Sequence, residues 1–175
     1  MIRAHVFLVG PMGVGKSTIG RMLASDLGLP FLDTDRVIEE RTGADIPWIF
    51  DMEGEDGFRQ RETNVLADIC QMTASVVATG GGIVTREKNL ELMRNAGTTC
   101  YLQASVEQLV ERTARDKKRP LLQVDNPREK IEQILAEREP SYRSVSQIVV
   151  NTDRYGPKAA VQEILEALSR LGVTP

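Results

Sequence analysis

The stretch Gly10-Pro11-Met12-Gly13-Val14-Gly15-Lys16-Ser17 decides the fold of this 175-residue chain. It matches the pattern G-x-x-x-x-G-K-[ST], in which backbone N–H groups at the start of a helix surround phosphate oxygens. An apolar run at residues 6–9 precedes it and is typical of a buried strand, and a segment with helical spacing of apolar residues follows it. Strand, glycine loop and helix in this order predict a site for the phosphates of a nucleoside triphosphate.

The last residues of this loop have expected tasks. Lys16 is expected to reach the β- and γ-phosphates, and the Ser17 hydroxyl is expected to hold Mg²⁺. The alternative is a glycine-rich turn that carries Lys-Ser by accident, and the flanking strand and helix patterns weigh against it. The predicted phosphate-binding residues are Gly13, Val14, Gly15, Lys16, Ser17 and Thr18.

The composition excludes several classes of protein. The formal net charge is −3 and the isoelectric point is near 5.3, whereas a general nucleic-acid binder is usually basic. No apolar run approaches the ~20 residues of a membrane-spanning helix, and no signal peptide is visible. Cys70 and Cys100 lack metal-site spacing and are expected to be buried, reduced thiols. We therefore expect one cytoplasmic domain, 1–175, without a nucleic-acid or membrane partner.

Short apolar runs alternate with longer helical patterns along the chain. This alternation is typical of βαβ units and a parallel sheet. It predicts an α/β protein with a five-stranded parallel sheet. Strands are expected at 4–9, 30–33, 75–79, 98–102 and 146–150. Helices are expected at roughly 16–27, 35–42, 58–73, 86–96, 105–115, 127–138 and 157–171.

Two stretches interrupt this alternation and are expected to be irregular. Residues 43–62 contain a proline and three glycines among charges, and residues 112–127 begin with five positive charges in eight residues. Long irregular insertions in a compact α/β domain are usually functional loops or lids. Because ligands of an open α/β sheet lie beyond the carboxyl ends of its strands, residues 10–17, 33–35 and 79–82 are expected to surround one crevice.

Two carboxylates end the second expected strand, in Asp33-Thr34-Asp35. Their alternating spacing lets both point toward the crevice, one to a metal and one to a substrate, which are two tasks that phosphoryl transfer requires. The alternative is helix capping, because Asp35 precedes a helical pattern and suits an N-cap. The residues by themselves leave both interpretations open.

Three consecutive glycines, Gly80, Gly81 and Gly82, follow the strand expected at 75–79. A tight turn from strand to helix would need only one glycine, and three of them cost backbone entropy. The run therefore favours close approach of a ligand to bare backbone N–H groups.

Arginines complete the set of candidate residues. Arg59 and Glu62 lie three apart, so they share a helix face on which a guanidinium could hold a carboxylate; a solvated surface pair is the alternative. The cations from Arg112 to Arg119 suit a lid that closes over a nucleotide. On periodicity alone, Arg138 is a cation at the end of a helix that a proline breaks.

These motifs, in this order, resemble shikimate kinase. The resemblance covers essentially the whole chain, from the glycine loop through Asp33-Thr34-Asp35 and residues 50–62 to the run 76–84, Arg119-Pro120-Leu121-Leu122 and residues 138–143. It implies a three-layer α/β/α fold of the P-loop kinase type. It also implies Mg²⁺-assisted transfer of the γ-phosphoryl group of ATP to the 3-hydroxyl of shikimate, a step in making aromatic amino acids.

The resemblance implies roles for residues on the acceptor side. Asp35 would bind the substrate hydroxyls and act as the base. Arg59 and Arg138 would hold the substrate carboxylate, and Glu62 would orient Arg59. The backbone of Gly80, Gly81 and Gly82 would line the same pocket, within a substrate-binding region at 34–62.

On the nucleotide side, the resemblance implies that Lys16 and Arg119 are catalytic, with Arg119 supplied by a lid at 112–126. Arg112 would lie over the adenine, together with Arg154, whose surroundings match the family less closely. Asp33 and Ser17 would hold Mg²⁺, Asp33 through water.

Three other interpretations remain to be compared, and a monomer is expected in each. A different small P-loop kinase, for gluconate or a nucleoside monophosphate, would not need two acceptor-side arginines and a triple glycine. A regulatory GTPase would explain Asp51-Met52-Glu53-Gly54 as D-x-x-G, but no N-K-x-D motif follows. A catalytically inactive relative is disfavoured because every implied residue is present.

Overall fold

The computed structural model describes residues 4–114, 116 and 120–173. Its centre is a parallel sheet of five strands in the order β2-β3-β1-β4-β5. The strands are β1 (His5–Val9), β2 (Phe31–Asp33), β3 (Val76–Ala78), β4 (Gly97–Gln103) and β5 (Ile148–Asn151). The helices are α1 (Lys16–Leu27), α2 (Thr34–Thr42), α3 (Ile46–Ile69), α4 (Glu87–Ala96), α5 (Val106–Thr113), α6 (Pro127–Val145) and α7 (Pro157–Arg170). Short 3₁₀ turns occupy Ile83–Thr85 and Pro120–Leu122.

The central strand explains why the sheet lies between two layers of helices. All five residues of β1 are buried, as is typical of a parallel strand covered on both faces. Val6 and Leu8 belong to an apolar cluster with residues of α1 and α7. Phe7 and Val9 belong to a second cluster with residues of α3 and α4. The predicted three-layer α/β/α fold with five parallel strands is confirmed.

The first insertion, residues 43–62, is largely helical, so the prediction of an irregular segment is wrong. Asp45 caps α3 by accepting a hydrogen bond from the N–H of Trp48, and Pro47 lies in the first turn, where proline suits a helix. Only Gly54 departs from helical geometry, with φ 71° and ψ −179°. Pro47 and one of the glycines, Gly57, were therefore wrongly interpreted as helix breakers, whereas Gly43 does end α2.

Helix α6 is longer than the expected 127–138, because it continues through Pro140 to Val145. A proline inside a helix costs about 3 kcal/mol through its missing N–H and its steric clash. Tyr142 and Val145 are both buried in the cluster that covers one face of the sheet, and this packing favours continuation of the helix. Arg138 is thus inside α6 and not at its end.

Candidate active site

The glycine loop between β1 and α1 adopts a conformation that requires glycine at several positions. Gly13 and Gly15 have φ of 82° and 101°, values that side-chain-bearing residues rarely adopt. A methyl group at Gly13 would lie 2.6 Å from Cγ2 of Thr113, so α5 packs directly on the loop. The Lys16 ammonium donates to the carbonyls of Gly10 and Pro11 at 2.6 and 2.9 Å. Loop and helix therefore have the geometry that the motif predicts.

Asp33 joins the end of β2 to the start of α1 and α2. Its Oδ2 accepts a hydrogen bond of 2.6 Å from the Ser17 hydroxyl. Its Oδ1 accepts from the N–H groups of Asp35 and Arg36, so Asp33 is the N-cap of α2. The suggested capping role of Asp35 is therefore wrong by two residues, because α2 begins at Thr34.

Ser17 and Asp33 supply the hard oxygen donors that Mg²⁺ prefers, and few protein ligands suffice because this ion retains water and phosphate oxygens. Within the described ranges, no group of three or more His, Cys, Asp or Glu side chains could hold a metal ion. The donor set therefore fits a magnesium ion shared with a nucleotide better than a metal held by the protein alone.

A wide cavity opens above the glycine loop. Its lining residues include Gly13, Gly15, Lys16, Ser17, Thr18, Asp33, Asp35 and Arg112. A second cavity extends from the loop toward the segment after β5, and its lining residues include Val14, Arg112, Thr152, Tyr155 and Pro157. All six residues predicted from the glycine loop therefore border these cavities.

Arg112 lies between the two nucleotide-side cavities, where it connects the glycine loop with the segment after β5. Its guanidinium donates to the carbonyl of Val14 at 3.3 Å and to the carbonyl of Thr152 at 3.4 Å. Arg154 is exposed and does not border either cavity. The second cavity is bordered instead by Thr152, Tyr155 and Pro157. These residues follow the end of a strand, and that position is the only signal in the sequence that could have found them.

A third, smaller cavity also borders Asp35. It brings together the residues that the resemblance to shikimate kinase assigned to the acceptor: Asp35, Arg59, Glu62, Gly80, Gly81, Gly82 and Arg138. An apolar wall completes it and was not foreseen: Met12, Ile46, Phe50, Phe58, Pro120 and Leu121. These apolar residues come from several separate segments, so no local pattern could have identified them.

Glu62 and Arg59 form a buried ion pair, so the alternative of a solvated surface pair is wrong. Glu62 is fully buried and Arg59 is 6% exposed, and their nearest polar atoms lie 2.9 Å apart. Burial raises the pKa of Glu62 to about 7, although the positive charge of Arg59 acts in the opposite direction. Oε2 of Glu62 is buried without a hydrogen-bond partner among the described residues.

Gly80 and Gly82 owe their identity to side chains packed against them, because neither has a positive φ, whereas the nearest atom to a methyl group at Gly81 would be Cγ of Met12 at 3.4 Å. A methyl group at Gly82 would overlap the guanidinium of Arg59, and one at Gly80 would lie 2.6 Å from Oε2 of Glu62 and 2.9 Å from Oδ1 of Asp35. The N–H of Gly80 is occupied by the Thr34 hydroxyl at 3.0 Å. Close approach is thus required first by the protein's own charged side chains.

The lid assignment falls partly on residues that the structure does not describe. Arg115, Lys117, Lys118 and Arg119 lie outside the described residues, and Arg119 was assigned a catalytic role. Pro120 and Leu121, which come directly after Arg119 in the chain, border the acceptor cavity.

Within the described part of the chain, no helix is long and apolar enough to cross a membrane.

The sheet is parallel, a glycine loop follows its central strand, and a lysine-serine pair begins the next helix. A further cavity lies beside the loop. Together these features define a P-loop protein with sites for a nucleotide and an acceptor. A family model described as shikimate kinase matches residues 12–169. The chain belongs to the shikimate kinase family.

Individual relatives agree with this assignment. The chain is 53% identical over 167 residues to a shikimate kinase from Pseudomonas aeruginosa strain LESB58, covering 95% of this chain and 97% of the relative. It resembles the structure of a shikimate kinase from Acinetobacter baumannii in complex with shikimate, with a TM-score of 0.95 and 46% identity. That match covers 98% of this chain and 96% of the other.

A more distant likeness concerns a gluconokinase from Sinorhizobium meliloti, with a TM-score of 0.62 and 17% identity over 97% of this chain and 94% of the other. At that identity the likeness extends to the fold alone. It agrees with the assignment to the P-loop kinase fold.

Proposed function

We propose that this chain transfers the γ-phosphoryl group of ATP to the 3-hydroxyl of shikimate, giving shikimate 3-phosphate and ADP in aromatic amino acid biosynthesis. One observation carries the proposal. Asp35, Gly80 and Gly81 border both the large cavity above the glycine loop and the smaller acceptor cavity. An acceptor hydroxyl and the terminal phosphate of a nucleotide would therefore meet beside the Asp35 carboxylate.

The acceptor cavity has groups that match shikimate, a small ring with one carboxylate and several hydroxyls. Arg59 and Arg138 offer planar guanidinium groups suited to the carboxylate. Gly80, Gly81 and Gly82 offer backbone close to the ring. Asp35 acts as the base: its carboxylate accepts the proton of the 3-hydroxyl of shikimate as the hydroxyl oxygen attacks the γ-phosphorus of ATP. Because phosphoryl transfer needs little covalent help, positioning and charge account for most of the catalysis.

On the nucleotide side, Lys16 holds the β- and γ-phosphates, and Gly13, Val14, Gly15, Ser17 and Thr18 surround them. Arg119 adds positive charge to the transferring group from the lid at 112–126. Arg112 lies over the adenine, and Arg154 serves the same end of the site after a movement of its exposed side chain. Residues 34–62 form the substrate-binding region of a single domain, 1–175.

Ser17 and Asp33 would hold Mg²⁺, and their hydrogen-bonded oxygens already adjoin the phosphate cavity. When bound, the ion neutralises charge on the β- and γ-phosphates. We also propose that the protein acts as a cytoplasmic monomer without nucleic-acid or membrane partners. The net charge of −3 supports the absence of a nucleic-acid partner, because general nucleic-acid binders are usually basic.

An assay that couples ADP release to a second enzyme tests the proposed reaction. ATP and Mg²⁺ are supplied with shikimate, and gluconate and nucleoside monophosphates serve as control acceptors. We expect strong stimulation by shikimate alone. Stimulation by gluconate or a nucleoside monophosphate instead of shikimate would contradict the proposal and favour a different small P-loop kinase.

Two variants test the division of roles. Asp35→Asn should lower kcat severely, and a loss of less than about tenfold, or ~1.4 kcal/mol, would remove the base role. Arg138→Ala should chiefly raise KM for shikimate. Arg143→Ala is the matched control, because Arg143 lies on the same helix and its side chain is half exposed.

A further inference from the structure

The backbone of the glycine run 80–82 is held by hydroxyl groups that the proposed reaction does not use. The N–H of Gly80 donates to the Thr34 hydroxyl at 3.0 Å. The carbonyl of Gly81 accepts from the Tyr142 hydroxyl at 2.5 Å. Both side chains are fully buried. Thr34 stands at the start of α2 and Tyr142 in α6, so the run is held from two different elements.

Thr34 continues the ladder between β2 and β3 where the backbone can no longer do so. Asp33 pairs with Ala78 in the parallel register, and α2 begins at the next residue, Thr34. The backbone of Thr34 therefore turns away from β3, and its hydroxyl takes the place of a carbonyl for the N–H of Gly80. This bond determines the separation between Asp35 and the glycine run.

It matters that the Thr34 hydroxyl accepts the hydrogen bond of the Gly80 N–H, because two carboxylates also adjoin Gly80. Oδ1 of Asp35 and Oε2 of Glu62 both face its α-carbon, since a methyl group there would lie 2.9 and 2.6 Å from them. If the Thr34 hydroxyl were removed, the buried N–H would turn toward one of these carboxylates. The glycine run would rotate and Asp35 would be drawn into a bond with the backbone.

The Tyr142 hydroxyl binds the carbonyl of Gly81 and also interacts with Arg138. Its ring stacks on Tyr101, with centroids 5.1 Å apart. Burial raises the pKa of Tyr142 to about 12, so its hydroxyl keeps its proton and donates to Gly81. The Arg138 guanidinium interacts with the same hydroxyl. One hydroxyl thus relates the position of Arg138 to that of the glycine backbone.

The remaining polar groups of the run show what this arrangement leaves available. The carbonyl of Gly80 accepts from the N–H of Ile83, and that of Gly82 accepts from Thr85. Among the residues that the structure describes, no hydrogen bond uses the N–H of Gly81 or of Gly82. Both glycines border the acceptor cavity, so these two donors remain for a ligand.

We propose that Thr34 and Tyr142 are positioning residues of the acceptor site: their hydroxyls fix the backbone of residues 80–82 relative to Asp35 and Arg138. This inference rests on the proposed function for its kinetic readout. Thr34 acts on the distance between base and acceptor, so its loss lowers kcat and raises KM for shikimate. Tyr142 acts on the carboxylate end, so its loss raises KM for shikimate with little change in kcat.

The test compares two isosteric substitutions with matched controls. Thr34→Val is expected to lower kcat/KM for shikimate at least tenfold, and Tyr142→Phe is expected to raise KM for shikimate at least threefold. KM for ATP stays within twofold in both. Thr99→Val and Tyr101→Phe make the same changes at buried residues that do not touch the glycine run, and both should retain wild-type kinetics. The Thr99 hydroxyl has no partner within the described chain.

Restoration of the hydroxyl separates positioning from a general structural role. Thr34→Ser keeps the acceptor and should return within threefold of wild type. Should Thr34→Val fail to fold, Thr34→Cys provides a second variant, because its sulfur is a weak hydrogen-bond acceptor. Its kcat/KM for shikimate should be lower than that of wild type and Thr34→Ser but should remain measurable. Should Tyr142→Phe fail to fold, 3-fluorotyrosine at 142 keeps the hydroxyl, weakens it as an acceptor for Arg138 and should still raise KM for shikimate.

Failure of this inference is distinguishable from failure of the proposed function. If the wild-type protein does not phosphorylate shikimate, the proposed function is wrong. If it does, and folded Thr34→Val and Tyr142→Phe have wild-type constants for shikimate, the positioning roles are wrong. A parallel rise in KM for ATP and shikimate, or the same loss in the Thr99→Val and Tyr101→Phe controls, would also overturn them.

Discussion

At the scale of single residues, the acceptor cavity is dominated by charges that are buried together. Glu62 is enclosed by Arg59, Asp35 and Arg138, each of which influences its pKa. A buried ion pair with one unsatisfied oxygen contributes little to stability and can lower it. Its retention beside an acceptor cavity is consistent with a role in orienting Arg59, whose guanidinium lies against Gly82.

Glu62 should make stability fall as pH rises. Its pKa is about 7 in the folded protein and 4.5 in the reference state, so between these values the folded protein holds a proton that the unfolded chain has lost. The free energy of unfolding therefore decreases by up to about 3 kcal/mol across that window. Urea denaturation at several pH values should show this fall in wild type and a flatter profile in Glu62→Gln.

Two other residues bear on that pH experiment. The pKa of His5 is lowered by burial, which makes stability rise with pH below 6.5, and this effect cancels in the difference between wild type and variant. Glu53→Gln is the matched control on the same helix, because Arg61 lowers the pKa of Glu53 and moves its titration below the window. An unchanged profile in Glu62→Gln would mean that Glu62 titrates near its ordinary value.

Gly82→Ala should disturb acceptor binding more than Gly81→Ala. The new methyl group at 82 would overlap the guanidinium of Arg59, whereas at 81 its nearest neighbour is the flexible side chain of Met12 at 3.4 Å. We expect KM for shikimate to rise at least tenfold in Gly82→Ala, with KM for ATP within twofold, and a smaller rise in Gly81→Ala. Steady-state kinetics measure both, and equal values would show that Arg59 relocates without cost.

At the scale of elements, α3 carries the acceptor residues across a bend at Gly54. The part before the bend supplies Ile46 and Phe50 to the cavity, and the part after it supplies Phe58, Arg59 and Glu62. A two-pronged ion pair spans the bend, since Arg61 donates to both carboxylate oxygens of Glu53, at 2.8 and 2.6 Å. The bend therefore joins two parts of α3 that both contribute residues to the wall of one pocket.

Gly54→Ala should destabilise the fold through backbone conformation alone. Its φ of 71° and ψ of −179° belong to a region that is essentially restricted to glycine, at a cost of about 1–3 kcal/mol for other residues. No heavy atom lies within 4 Å of the new methyl group, so no clash contributes. Urea denaturation should show this loss in the free energy of unfolding.

Gly43→Ala is the control for that prediction. Gly43 also has open space around it, but its φ of 68° and ψ of 15° are left-handed helical, a conformation that costs other residues only about 1–2 kcal/mol. The loss should therefore be smaller than in Gly54→Ala. A larger loss in Gly43→Ala would mean that the bend at Gly54 relaxes into a continuous helix.

At the scale of the whole molecule, the cavity above the glycine loop and the acceptor cavity share a border formed by Asp35, Gly80 and Gly81. Asp33 ends β2 and Asp35 follows it, the glycine run follows β3, and the phosphate loop follows β1; these three strands are adjacent in the order β2-β3-β1. The strand order thus brings together residues that are far apart in the chain. Chemistry between the ligands would occur at the shared border of the cavities.

Separate cavities should give separable stabilisation by ligands. A ligand at 100 times its Kd stabilises the folded state by about 2.7 kcal/mol, so shikimate and ATP with Mg²⁺ should each raise Tm. Arg138→Ala should abolish the shift caused by shikimate and retain the shift caused by ATP. Lys16→Met should show the reverse pattern. Loss of both shifts in either variant would show that the two sites do not form independently.

The acceptor residues Asp35, Arg59 and Arg138 were assigned only through the resemblance to shikimate kinase, but the sequence by itself determined the fold class and the phosphate loop. These depend on local spacing: apolar runs that must be buried, glycines with positive φ and a lysine-serine pair at a helix start. Each strand was found within three residues of its predicted ends, whereas the order of the strands in the sheet was not predicted.

Only the tertiary structure decided which groups bear on one another. The apolar wall of the acceptor cavity, the hydroxyls of Thr34 and Tyr142 beside the glycine run and the burial of Glu62 arise from contacts between distant segments, such as the hydrogen bond between Tyr142 and Gly81, 61 positions apart. The continuation of α6 through Pro140 has the same origin, since burial of Tyr142 outweighs a local preference to stop. Packing energies between distant segments exceed local propensities there, and a pattern read along the chain contains no measure of them.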